Sequence, residues 1–258
     1  PVDGFEMYNL HANMVARMNE AAKLFAVLLD EDETLDPDLL LLLLVFEDPE
    51  YLSRWGSALA RGAKRVTTMG TDCHRNTFPM QLSDGERVDS YRRMMSWFSN
   101  HLLVVPEADG SVLPDALETA LKERRLYGSF DLLGYPEGFD YVAVTGSGAT
   151  SVVHETGAVV ALADTVELRA RPASVARLDP AVEAPLYRTR ILRAKEGGWD
   201  VVAEASGAET ISLPITEAGA YRAEVRITPK HLRGALGSLS DRADDEFVWI
   251  YSNAIHVE

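Results

Sequence analysis

The first half of the chain alternates short strand-like runs with stretches in which apolar residues recur at helical spacing. Residues 5–8 have the pattern of a strand end, and a helix is predicted over residues 10–29. The apolar positions of this predicted helix are Met14, Met18, Ala21, Ala22, Phe25 and Leu29. Strands and helices in alternation favour a parallel α/β arrangement.

Further elements of this half follow from the same kind of pattern. Residues 39–46 are all apolar, so periodicity cannot separate a buried helix, which we favour, from a strand. A helix is predicted over residues 51–61, where Gly62 would end it. Another is predicted over residues 114–125, with Pro114 in its first turn. Strands are predicted at residues 66–68 and 126–130.

The second half of the chain has a different pattern, because the helical spacing stops at about Gly138. Short runs rich in Val, Ile, Thr and Tyr follow, and the Gly197-Gly198 pair between two of them predicts a hairpin turn. These runs predict strands at residues 141–145, 165–169, 187–193, 199–203, 209–213, 221–227 and 247–251. Many short strands in succession favour an antiparallel sandwich. We therefore predict two domains, residues 1–136 and residues 137–258.

Composition and charge narrow the class of protein. With 47% hydrophobic and 25% charged residues among 258, the chain is predicted to be globular, and not disordered or coiled-coil. A formal net charge of -15 provides no general attraction for nucleic acid or anionic lipid. The longest apolar run, residues 39–46, is too short to span a membrane. Cys73 is the only cysteine, which excludes an internal disulfide, and we expect it to be a small buried residue.

Candidate metal ligands follow the strand predicted at residues 66–68. In an extended segment, Asp72 and His74 point to the same side, so that both can reach one metal ion. A carboxylate oxygen with an imidazole nitrogen suits Zn, Mn or Fe. A solvated loop pair is the alternative, and on spacing alone it is the more common case. The other histidines, at 101, 154, 231 and 256, are predicted to be structural or exposed.

Two further candidates lie at the first strand end and two follow His74. Glu6 lies near the end of the strand at residues 5–8 and His11 at the start of the next helix, so that both could face a site. A capping or surface carboxylate is the alternative for Glu6, and a surface position is the favoured interpretation for His11. Arg75 can hold an anionic oxygen of a substrate or form a surface salt bridge. Asn76 can bind a substrate or cap the following turn.

Three stretches carry a resemblance to a known family. They are Asp3-Gly4-Phe5-Glu6-Met7-Tyr8-Asn9, Gly70-Thr71-Asp72-Cys73-His74-Arg75-Asn76 and Asp84-Gly85-Glu86-Arg87-Val88-Asp89-Ser90-Tyr91. Together they resemble the PHP (polymerase and histidinol phosphatase) superfamily of metal-dependent hydrolases, and within it the carbaryl-hydrolase-like branch. Residues 120–127 resemble the last helix and strand of that family's barrel, and residues 249–255 the tail of its stand-alone members, so the resemblance covers essentially the whole chain.

The resemblance implies a fold and a metal site. The fold would be α/β, with the C-terminal part of a distorted (β/α)7 PHP barrel followed by an antiparallel β-sandwich-like domain. Two or three divalent metal ions would bind at the strand ends, with Glu6 bridging them, Asp72 and His74 as ligands and His11 as a further candidate. The family's opening His-x-His strand and further histidine ligands are not in this sequence. We therefore expect a chain truncated at its N-terminus that is a poor enzyme by itself.

The implied activity is hydrolysis of a small-molecule phosphate ester by a metal-bridged hydroxide. A carboxylic ester or carbamate hydrolase, acting through the same hydroxide, is the first alternative. A non-catalytic binding or scaffold protein with a degenerate PHP barrel is the second. Neither a nucleic-acid partner nor a membrane span is expected, and the β-rich tail is compatible with export to the periplasm or out of the cell.

Overall fold

The fold is mixed α/β, and strands make up most of its regular structure. The computed structural model describes residues 4–17, 19, 22, 23, 26, 27, 33–74, 78–162 and 166–258. The α-helices bounded in these residues are α1 (Leu10–Ala16), α2 (Pro49–Ala60), α3 (Tyr91–Ser96) and α4 (Pro114–Lys122). The 3₁₀ helices are Pro37–Leu44, Asp131–Leu133, Gly148–Thr150, Lys230–Ala235 and Gly237–Asp244. Among the described residues, no helix is both long and apolar enough to cross a membrane.

The strands fall on both sides of the predicted domain boundary. In the first half they are β1 (Gly4–Asn9), β2 (Val66–Gly70), β3 (Ser99–Leu102), β4 (Leu126–Ser129) and β5 (Pro136–Glu137). The next six are β6 (Asp140–Thr145), β7 (Val152–Glu155), β8 (Val159–Val160), β9 (Val166–Arg171), β10 (Ser174–Val175) and β11 (Leu186–Lys195). The last five are β12 (Gly198–Ser206), β13 (Ile211–Ile215), β14 (Gly219–Thr228), β15 (Phe247–Ser252) and β16 (Ile255–Val257).

One large sheet joins the two halves of the chain. Its order is β12-β11-β14-β15-β4-β3, while β16 pairs with β14 and β8 pairs with β16. A four-stranded sheet of order β13-β9-β6-β7 packs on it, and their shared apolar cluster includes Leu168 from the small sheet and Ile191 from the large one. Because β3 and β4 belong to the large sheet, strands from both sides of residue 136 lie in one layer. The domain boundary near that residue stays a prediction.

Parallel pairing is confined to two places among the described strands, β1 with β2 and β8 with β16. The described residues form no closed barrel. Although α4 lies between them in the chain, β3 and β4 pair antiparallel, which corrects the expectation of a parallel arrangement there. The reason is that α4 does not cover the sheet as a crossover helix would, since Leu117 and Leu121 are exposed on it.

The predicted strands of the second half are confirmed, as is the helix at α2 with Gly62 in the left-handed conformation after it. The hairpin at Gly197-Gly198 is confirmed by the pairing of Lys195 with Gly198. The helix predicted over residues 10–29 is described as α1, which ends at Ala16. Four of its predicted apolar positions lie outside the described residues, namely Met18, Ala21, Phe25 and Leu29. Thr165, the first residue of a predicted strand, also lies outside them.

The apolar run predicted as a buried helix is a 3₁₀ helix, Pro37–Leu44, which begins at an Asp36 cap whose side chain accepts from the Asp38 N–H. All six of its leucines are buried. They form part of the main core with Tyr8, whose hydroxyl donates to the Leu44 carbonyl over 2.8 Å.

A buried arginine holds α2 against the large sheet. The Arg222 guanidinium lies 4.9 Å from the centroid of the Trp55 ring, 4.6 Å from that of Trp199 and 5.1 Å from that of Tyr251. Its Nη2 donates to Oε2 of Glu224 over 2.9 Å, and both side chains are almost fully buried. The charge is thus compensated by one carboxylate and three ring faces, which makes its burial tolerable.

Acid should destabilise the fold through His256, a buried residue of β16. Burial, with the nearby charges of Arg124 and Lys64, lowers its pKa to about 4. The unfolded chain, with an ordinary histidine pKa, then binds more protons than the folded chain between pH 6.5 and pH 4, so stability falls as the pH falls through this window. The expected loss from this residue is about 3 kcal/mol. Urea unfolding at several pH values should show a shallower decline for His256→Leu than for the parent, and equal slopes would contradict the assignment.

Candidate metal centre

The parallel register of β1 and β2 brings two distant segments to one edge. Asn9 lies opposite Gly70, so the chain leaves both strands side by side. His11 follows Asn9 by two positions and Asp72 follows Gly70 by two positions. The Nδ1 atom of His11 accordingly lies 2.8 Å from Oδ2 of Asp72.

Three potential ligands converge here. The ligand atoms of His11, Asp72 and His74 all lie within 4.8 Å of one another. The ring centroids of His11 and His74 are 4.6 Å apart. The His11 side chain is 20% exposed and that of Asp72 is 57% exposed, so the group is open to small molecules. Two imidazoles and one carboxylate could hold a divalent metal ion, and three protein ligands of this kind are typical of catalytic zinc sites.

Local structure fixes the two segments that carry the ligands. Asn9 caps α1, with its side-chain oxygen accepting from the Ala12 N–H over 3.0 Å, and this fixes the start of the helix on which His11 lies. Asp72 has a φ of +50°, a left-handed conformation that aspartate tolerates better than most residues. The His11 hydrogen bond lowers the pKa of Asp72, and the charges of His11 and His74 act in the same direction. An ordinary aspartate is already ionised at neutral pH, and the lowered pKa extends this form, which a metal requires, to more acidic solution.

Glu6, which the family resemblance makes a bridging ligand, lies next to this group but is not one of the three clustered residues. Its Oε2 accepts from Nδ2 of Asn9 over 2.7 Å. Its carboxylate also lies against Gly70, where a Cβ atom would approach Oε1 to 2.1 Å, so a side chain at that position would displace the Glu6 carboxylate. The bridging role of Glu6 stays a prediction. Arg75 and Asn76 lie outside the described residues.

Two asparagine side chains hold the other edge of β2, and sequence reasoning did not identify them. Asn253, after β15, accepts from the Thr67 N–H and donates to the Thr67 carbonyl, each over 2.9 Å. Asn100, in β3, does the same with the N–H and carbonyl of Met69, also over 2.9 Å. Each amide thus replaces one residue of a neighbouring strand. An amide is uncommon within a strand, and Asn100 in β3 is the one of the two for which the sequence offered this signal.

The remaining candidates have structural surroundings. His101 in β3 contacts the Ser129 hydroxyl at 2.7 Å, and His154 in β7 contacts the Thr145 hydroxyl at 2.8 Å. Cys73 is half-buried at the edge of the main core, which corrects the expectation of full burial.

Comparison with known proteins adds no relative, because the chain matches no protein-family model and no curated protein sequence. The family resemblance of the three sequence stretches therefore stays an expectation. The case for a function rests on the geometry of His11, Asp72 and His74.

Removal of the Asn100 amide should destabilise the fold. In Asn100→Ala the N–H and carbonyl of Met69 lose their partners in a half-buried position. The expected decrease in the free energy of unfolding is about 1–3 kcal/mol, measured by urea denaturation. Thr210→Ala, at an exposed position, serves as the control and should change it by less than about 0.5 kcal/mol. Identical unfolding curves for the parent and Asn100→Ala would show that the amide does not support β2.

Proposed function

We propose that this chain carries the metal site of a metal-dependent hydrolase, with His11, Asp72 and His74 as ligands. The observation that supports this most directly is the convergence of their three ligand atoms at the edge where two parallel strands end. Ligand sites commonly lie at the carboxyl ends of parallel strands. The donor set fits Zn, Mn or Fe, and Glu6 is the proposed bridging ligand if two or three ions bind.

The proposed reaction is hydrolysis of a small-molecule phosphate ester. A divalent ion supplies an activated water and polarises the phosphoryl oxygen when it is bound. The chain's own contribution is to place the Asp72 carboxylate beside His11, on segments fixed by the Asn9 cap and by β2. The exposure of Asp72 leaves room for a substrate at the group. The proposal of a partial (β/α)7 barrel rests on the sequence resemblance, with the parallel β1–β2 pair as its structural support.

Metal binding tests this function directly. We expect the protein to bind Zn²⁺ or Mn²⁺ in isothermal titration, and the single variants His11→Ala, Asp72→Asn and His74→Ala each to lose at least about tenfold in affinity. His154→Gln is the matched control, because His154 is another half-buried histidine that lies outside the group. It should bind metal as the parent does.

The reaction is tested with the metal-loaded protein on aryl phosphate esters and on aryl carboxylic esters. Phosphate ester turnover that requires metal and is lost in Asp72→Asn supports the proposed reaction, whereas turnover of the carboxylic esters alone would replace it by ester hydrolysis. A parent protein that binds neither Zn²⁺ nor Mn²⁺ would refute the catalytic site and leave a binding or scaffold protein.

A further inference from the structure

The connection between β3 and β4, which contains α4, lies at one end of the large sheet, because β3 is the last strand in the order of that sheet. Its residues 105–123 are all exposed except Ala116 and Ala120, with respect to the described part of the chain. Ala120 is the one buried residue of α4. The helix therefore touches the rest of the described chain along a narrow strip and leaves most of its surface uncovered.

Large apolar side chains are exposed along this segment. Val105 is 82% exposed and Leu113 is 52% exposed. Val112, Leu117 and Leu121 are exposed as well. Single exposed apolar residues are common on protein surfaces, whereas several of them on one short segment are typical of a surface that binds another protein.

Three of these residues form one ridge along α4. Leu113, Leu117 and Leu121 follow one another at intervals of four residues, with Leu113 at the N-cap of the helix. Residues four positions apart lie on the same side of a helix, and a ridge of this kind packs into the groove of a second helix. An evenly spaced ridge is the same in both directions. A second copy of α4 in antiparallel orientation therefore offers a matching surface, as a two-fold interface requires.

Two charged residues beside the ridge favour a second copy of the chain as the partner. Glu118 and Lys122 each follow a leucine of the ridge by one position, so they lie along the same flank. Within one copy they form an exposed ion pair across one helical turn. In antiparallel orientation, Leu117 can lie against Leu121 of the partner subunit. In that register Glu118 faces Lys122 of the partner subunit, and the reverse pair forms by symmetry.

We propose that α4 forms the two-fold interface of a homodimer, in which the leucine ridges of two copies pack antiparallel and Glu118 and Lys122 pair between the copies. The remaining charged residue of α4, Asp115, lies two positions before Leu117 and therefore faces away from the contact. The ridge of one short helix is smaller than a standard interface, so we expect a weak dimer with a dissociation constant in the micromolar range. This inference does not depend on the proposed function.

The mass of the protein in solution tests the contact. Sedimentation velocity at increasing protein concentration should show the parent passing from monomer to dimer. Leu117→Glu should weaken the dimer at least about tenfold, because it places two carboxylates between the ridges. Val201→Glu is the matched control, because Val201 is also an exposed valine but lies in β12, at the opposite edge of the large sheet from β3. It should dimerise as the parent does.

Exchange of the two charges tests the antiparallel register. Glu118→Lys and Lys122→Glu should each weaken the dimer by about threefold, because like charges then meet across the interface. The double variant Glu118→Lys/Lys122→Glu restores both pairs and should dimerise as the parent does. An equal mixture of the two single variants should form mixed dimers that are tighter than the dimer of either variant alone.

A parent that stays monomeric, or a dimer that persists unchanged in Leu117→Glu, would overturn the proposal. A double charge variant that associates no better than the single variants would also overturn it. Far-UV circular dichroism shows whether each variant is folded. If Leu117→Glu is unfolded, Leu113→Glu replaces it, because Leu113 is the more exposed of the two leucines and its substitution disturbs the fold less.

Discussion

The candidate site depends on two asparagine amides that act as a substitute strand. Without them, β2 would have β1 on one edge and unpaired peptide groups on the other. An amide side chain presents a donor and an acceptor in nearly the geometry of a peptide group, so Asn100 and Asn253 can each satisfy one residue of β2. In this way a parallel pair is joined to an antiparallel sheet with which it has no strand pairing. The strand ends that carry the ligands are thereby fixed to the main core.

A second constraint fixes the position of α2 on the large sheet. That helix lies so close to the β11–β12 hairpin that a Cβ atom on Gly56 would approach the Gly198 carbonyl oxygen to 2.0 Å. Arg222 enforces this approach, because its guanidinium packs against one aromatic ring of α2 and others of the sheet. Buried ion pairs often add little net stability, and their best-supported role is to favour one packing arrangement over others. Here that arrangement is the packing of α2 on the large sheet.

The sequence predicted those features that depend on neighbouring residues. Alternation along the chain located strands such as β6 and β15, and a terminal glycine marked the end of α2. The sequence could not distinguish a 3₁₀ helix from an α-helix in the all-apolar run, because a run without polar positions shows no periodicity. His11 was favoured as a surface residue because its partner Asp72 lies 61 positions away, and only the β1–β2 register brings the two together. The antiparallel pairing of β3 with β4 was missed for the same reason.

The local conformation of the ligand segments favours a functional explanation over a purely structural one. An exposed hydrogen-bonded pair such as His11 with Asp72 contributes little to stability, because water competes for both partners. Yet Asp72 adopts a left-handed backbone, which costs of order 1 kcal/mol. Backbone strain that stabilises no core packing is typical of functional sites, where local preference gives way to geometry. A bound cation would provide a compensating interaction at this edge.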